Sequence, residues 1–161
     1  MTAPRPPANR VDPRALRCWT VRAALGVLTV AVAELVALVL AELDRPMGTA
    51  LLVITLVAGA GYVVVVPRWR YRVHRWEVDE RAVYTQAGWL WLAWRVAPIS
   101  RIQTIDTERS PLQRLFRLAT VTVTTASSAG AVRIEGLDAD VAAALARRLT
   151  EVTQHEPGDA T

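Results

Sequence analysis

The chain of 161 residues contains no lysine, one cysteine and two histidines. Each scarcity removes a class of function. With Cys18 alone there is no disulfide framework and no cysteine cluster for a metal, and a single thiol on the cytoplasmic side of a membrane stays reduced. His155 stands near the chain end and only His74 lies in its body, so the convergent groups of a hydrolytic or acid–base site are missing. There is no Gly-rich phosphate loop, nucleophile elbow, HExxH or CxxC pattern. The sequence reads as a protein that is not an enzyme and needs neither cofactor nor metal.

What the chain has in quantity is apolar length. Ala23 to Leu43 is a run of 21 residues broken by Glu34, with Glu42 at its rim, and Met47 to Val66 is an uncharged run of 20. Asp44, Arg45 and Pro46 separate them. At about 1.5 Å per residue each run makes a helix of roughly 30 Å, one hydrocarbon thickness. A transmembrane helical hairpin is expected over residues 19–66, its helices at about 21–43 and 47–66, with Pro67 ending the second. The first run is too long for a signal-peptide core, and a second span follows at once.

All 19 basic residues are arginine, and the sequence pI is about 10.2. Their placement suggests topology. Arg5, Arg10, Arg14, Arg17 and Arg22 precede the first run; Arg68, Arg70, Arg72 and Arg75 follow the second; the turn has only Arg45, beside Glu42 and Asp44. This positive-inside pattern puts both termini on the cytoplasmic side of the cell membrane. Residues 1–18, rich in proline and arginine, are expected to form a disordered basic arm. Trp19 and Trp69 fall where the helices meet the membrane interface.

After Pro67 the pattern changes to short strands. Residues 120–124 alternate, with Val121 and Val123 on one face, and Val132 and Ile134 alternate with Arg133 and Glu135. Leu90, Leu92 and Trp94 alternate with Trp91, Ala93 and Arg95, which predicts Trp94 inside and Trp91 outside. Turns are expected at 79–81, 87–88 and 127–130, giving an antiparallel meander. Ser110 and Pro111 suit the start of a short helix to about Arg117. A closing helix after Asp138 would bury Val141, Leu145, Leu149 and Val152, and the tail over 154–161 is expected to be flexible.

Residues 97–105 (APISRIQTI), 110–116 (SPLQRLF) and 118–121 (LATV), followed by Gly136-Leu137 and the Leu145 and Leu149 of the closing helix, resemble the bacterial pleckstrin-homology (PH) domain, and more narrowly its membrane-anchored, YdbS-like group. Arg117 and Ser110 stand where that family usually has glycine. The resemblance covers residues 70–152 and, through the hairpin, nearly the whole chain. It implies a PH-like antiparallel β-barrel or sandwich over residues 68–153, with a short inserted helix and a closing C-terminal helix. It also implies a binding or assembly module with no chemistry of its own, and a related membrane protein as a reasonable partner.

Several residues stand out as candidates for that binding. Arg68, Arg70, Arg72 and Arg75 would share a face if extended and contact anionic inner-leaflet lipid; topology determination is the plainer account. Leu112, Leu115 and Phe116, beside Arg114 and Arg117, read first as a plug for the barrel and second as a docking surface. Trp89 and Trp91 make the 88–92 region the best interaction edge. Glu34 is level with Thr55 across the hairpin, so a protonated Glu34 would hydrogen-bond it. That pair reads as structural glue; the alternative is a lipid-binding or transport-accessory subunit using Glu34. Nucleic acid is not expected as a partner. The 12 arginines of residues 70–152 face 9 acids, a mild excess, and the acidic 78–82 turn argues against a phosphoinositide site.

Overall fold

The computed structural model describes residues 5–40, 45–89, 91–126 and 130–155, with residues 154 and 155 described by their backbone alone. The expected 127–130 turn, Leu90, the inter-helix turn through Asp44 and the tail beyond residue 155 lie wholly or partly outside them. The chain forms two compact units, residues 16–69 and residues 1–15 with 70–161.

The first unit is a helix pair, α1 (Pro13–Leu40) and α2 (Arg45–Val73). Both helices are long and apolar enough to cross a membrane. Across the pair Val27 lies against Gly59, Glu34 against Thr55 and Leu38 against Gly48, the succession that an antiparallel seam gives. The glycines are there for proximity. A Cβ on Gly59 would strike Val27, and one on Gly48 would strike Leu38. Small residues at such points let two membrane helices approach closely. Away from the seam the apolar side chains are exposed, as lipid-facing positions are.

Both helices outrun their expected ends. α1 begins at Pro13 because Asp12 caps it: the Asp12 carboxylate accepts from the Arg14 N–H at 2.8 Å, and Pro13 takes the first helical position, where a missing N–H costs nothing. α2 runs through Pro67 to Val73. A proline removes one backbone hydrogen bond, and membrane helices tolerate that loss. The arginines after Pro67 keep their own N–H groups, and Arg70 and Arg72 suit the negative end of the helix.

The second unit has two antiparallel sheets. One is ordered β1-β2-β3-β4, from strands Asn9–Arg10, Arg75–Val78, Ala82–Ala87 and Ala93–Pro98. The other is β5-β6-β7, from Ile102–Glu108, Leu118–Thr125 and Val132–Asp138. A short helix, α3 (Pro111–Leu115), connects β5 to β6, and α4 (Ala139–His155) closes the unit. The core is built by Val83, Ala97 and Ile99 with Val121, Val123, Val132, Ile134 and Leu137, covered by Ala142, Leu145 and Leu149 of α4. Val121 faces Ile134 and Val123 faces Val132 across the ladder. Gly136, at φ 78°, is the extra residue of a bulge between those pairs and the next.

Three core expectations change. Val141 is exposed, and Ala142 takes its place on the buried stripe of α4, because Asp138 caps the helix and fixes its rotation through the N–H groups of Asp140 and Val141. Trp94 is 37% exposed, because β4 is a sheet edge of which only Ala97 is buried. Leu115 is 76% exposed, and Phe116 is only half-buried. α3 ends at Leu115 and turns those side chains away from the core, so they do not form a barrel plug.

Candidate interaction surfaces

The basic arm, expected to be disordered over residues 1–18, is ordered from residue 5, its first four residues being outside the described set. Strand β1 pairs Asn9 with Trp76 and Arg10 with Arg75. The indole N–H of Trp76 donates to the Arg10 carbonyl at 3.3 Å, and the Ala8 N–H donates to Glu77 at 2.9 Å. Further along, the Asp12 N–H donates to the Gly136 carbonyl at 2.9 Å. Arg14 bridges the carboxylates of Asp12 and Asp138. The Arg14 guanidinium holds the Asp12 carboxyl below its usual range; for Asp138 the Asp140 N–H is the larger cause and Arg14 the next. Asp12 followed by Pro13 is the local pattern that could have pointed to a cap here. The partner Asp138, 124 residues away, had none.

The juxtamembrane arginines do not form one face. In a helix, residues two apart point to nearly opposite sides while residues four apart stack, so Arg68 and Arg72 share a face that Arg70 does not. Arg68 folds back onto the Val64 carbonyl at 2.6 Å. Arg70 pairs with Glu135 at 2.6 Å, and Arg75 reaches the Pro7 carbonyl at 3.5 Å. Trp69 is half exposed, whereas Trp19 is buried together with Ala15 and Cys18 on one stripe of α1. Beyond α2, the ring Nδ1–H of His74 donates to the Arg70 carbonyl at 2.9 Å. Burial, and then the neighbouring Arg70 charge, push the imidazole down to about 4. His74 is therefore neutral at pH 7 and acts as a structural cap.

The β3–β4 connection presents the largest aromatic surface. Trp91 is 82% exposed, and Trp89, Leu92 and Val96 are each about half exposed. Gly88 sits at φ 140°, and a Cβ there would collide with the Trp91 carbonyl, so only glycine closes this turn. Nearby, Arg5, Pro7, Glu77, Asp79, Tyr84, Trp94 and Arg95 line a cleft of about 310 Å³. Asp79 is occupied by its own turn: the N–H groups of Arg81 and Ala82 hold its carboxyl below the usual range.

α3 is held by a capping box. The Ser110 hydroxyl accepts from the Gln113 N–H at 3.2 Å, and the Gln113 side chain accepts from the Ser110 N–H at 2.9 Å. Arg114 and Arg117 are exposed beside Leu115. Arg117 has φ 54°, a left-handed conformation that favours glycine. In the hairpin, the Thr55 hydroxyl donates to Glu34 Oε1 at 2.8 Å, and Glu34 Oε2 is buried with no hydrogen-bond partner among the described residues. No group of three or more metal-ligating side chains occurs among the described residues.

A family model for the bacterial PH domain matches residues 23–153. The chain is 27% identical over 157 residues to the UPF0699 transmembrane protein YdbS of Bacillus subtilis (strain 168), an alignment covering 93% of this chain and 97% of that protein. No solved structure matches significantly.

Proposed function

The chain belongs to the bacterial PH-domain family, and on that premise we propose that it is a non-enzymatic binding and assembly module, held at the cytoplasmic face of the membrane by the α1–α2 hairpin with both termini in the cytoplasm. One observation carries the binding role. The β-domain leaves Trp91, Leu92, Trp94 and Val96 in solvent along one sheet edge while its other sheet buries its valines and leucines. Bare apolar edges are liabilities unless something covers them. The arginine flanks support the orientation. The partners in this reading are anionic inner-leaflet lipid and a second membrane protein, either another PH-like protein or a second copy of this chain.

Affinity purification from detergent-solubilised membranes, followed by mass spectrometry, tests assembly. A reproducible membrane-protein partner or a multimer is expected, and recovery as a lone monomer would overturn that half. A C-terminal green fluorescent protein fusion is expected to fluoresce and a C-terminal alkaline phosphatase fusion to be inactive; the reverse result would overturn the orientation.

The orphaned Oε2 of Glu34 favours a second reading, a lipid-binding or transport-accessory subunit. Buried acids within membrane segments are functional candidates by default. A Glu34→Gln chain that assembles and functions as its parent does would reduce Glu34 to a seam contact.

A further inference from the structure

We propose that Trp91 and Leu92, at the start of the approach to β4, are a lipid-facing tip that seats the β-domain on an anionic leaflet. The proposal deepens the anchored-module reading and rests on it.

The first support is how the turn is built. Trp91 is the most exposed large apolar residue of the chain among those described, at 82%. Gly88, at φ 140°, lies against the Trp91 carbonyl where no Cβ fits. Leu92 stands beside Trp91, also exposed. An outward indole is suited to the headgroup level of a bilayer, where tryptophan concentrates.

The second support is charge, read from the register of the sheet. Arg10, Arg75, Gln86 and Trp94 form one row across its four strands, at the end where the 88–92 turn lies. Arg95 belongs to the next row, opposite Thr85. The acids collect at the other end: Glu77 is opposite Tyr84, and Asp79 and Glu80 make the far turn. From Arg81 to Ile105 there is no acid at all. The sheet is therefore polarised along its strands, with its cationic end carrying the tryptophans. This complements an anionic surface.

The third support is connectivity. β2 begins at Arg75, with only His74 between it and the end of α2 at Val73. β3 runs back antiparallel to face Arg75 with Gln86. The aromatic residues are thus at the same end of the sheet as Arg75, the first residue of β2. The contact is interfacial, without deep insertion, because the open backbone of β4 needs water or another strand to bond with.

Site-directed spin labelling of the full chain in vesicles of phosphatidylcholine with phosphatidylglycerol tests this. In a Cys18→Ala background, one label replaces Ala93 beside the tip and another replaces Glu80 in the far turn. The ratio of oxygen to nickel-chelate accessibility is expected to be higher at 93 than at 80. The Trp91→Asp chain, altered at a position too exposed to affect folding, is expected to lose that difference. Equal water-like accessibility at both sites would overturn the proposal. So would shielding of position 93 from both reagents together with label–label broadening that disappears on dilution with unlabelled protein, which assigns the edge to a second copy. Carbonate extraction of the same chains reports separately on anchoring, so failure of the tip is distinguishable from failure of the hairpin.

Discussion

The two sheets of the β-domain solve opposite problems. In β5-β6-β7 the inward valines and isoleucines are opposed across the ladder and sealed by Leu145 and Leu149 of α4, so a shift of one residue would put the whole apolar set in water. In β1-β2-β3-β4 one outer strand is a two-residue piece of the N-terminal arm and the other, β4, buries only Ala97. The difference separates residues that hold the core from residues that the fold leaves in water.

That contrast breaks most visibly at the seal. Leu149→Ala, at a position 1% exposed, is expected to destabilise the domain by about 2–5 kcal/mol, read by chemical denaturation of the purified chain in detergent. A comparable loss from Trp94→Ala would erase the distinction. Acid is the next lever. The His74 imidazole is at about 4 in the fold against about 6.5 in an unfolded chain. Between those values the unfolded state binds more protons, so stability is complete above pH 6.5 and falls as the pH drops towards 4, by roughly 3 kcal/mol in all. Denaturation midpoints from pH 7.5 to 4 are expected to show this slope, and His74→Gln to flatten it. Asp12, Asp79 and Asp138, all held low, extend the loss below about pH 4. Arg117→Gly acts in the other direction. Relieving the left-handed Arg117 is expected to raise stability by about 1 kcal/mol, seen as a higher melting temperature, while an unchanged or lower one would show that the arginine side chain outweighs the strain. Smallest of all, Trp91→Ser is expected to change stability by less than about 0.5 kcal/mol, and a larger change would make the bare edge part of the core.

The same contrast decides what was legible beforehand. Alternation at Val121, Val123, Val132 and Ile134 predicts burial correctly, because a sheet covered by a helix turns period-two patterning directly into inside and outside. Trp94 defeats the same rule: parity assigns it to a face, but an edge strand with little packed against it leaves that face in water. The hairpin was readable from length and charge alone. Its ends were not, since Pro67 is tolerated inside a membrane helix and the Asp12 cap carries α1 back into an arm expected to be disordered. Arg68, Arg70 and Arg72 scatter for the same reason, a helix continuing where an extended segment was expected. The Glu34–Thr55 hydrogen bond follows from antiparallel depth matching. The ties from the arm to Gly136 and Asp138 join residues too far apart in sequence for any local pattern to reveal.

Those ties also impose an order of events. Arg14 meets a carboxylate 124 positions later, and Asp12 meets the carbonyl of Gly136. Contacts of such separation form late and limit folding rates. During synthesis the arm emerges first, and two apolar helices follow it with nowhere stable to go but the bilayer. Only when β7 has been made can Asp12 and Arg14 meet their partners. The arm can pair with β2 early, but the segment made first is among the last to be fully fixed.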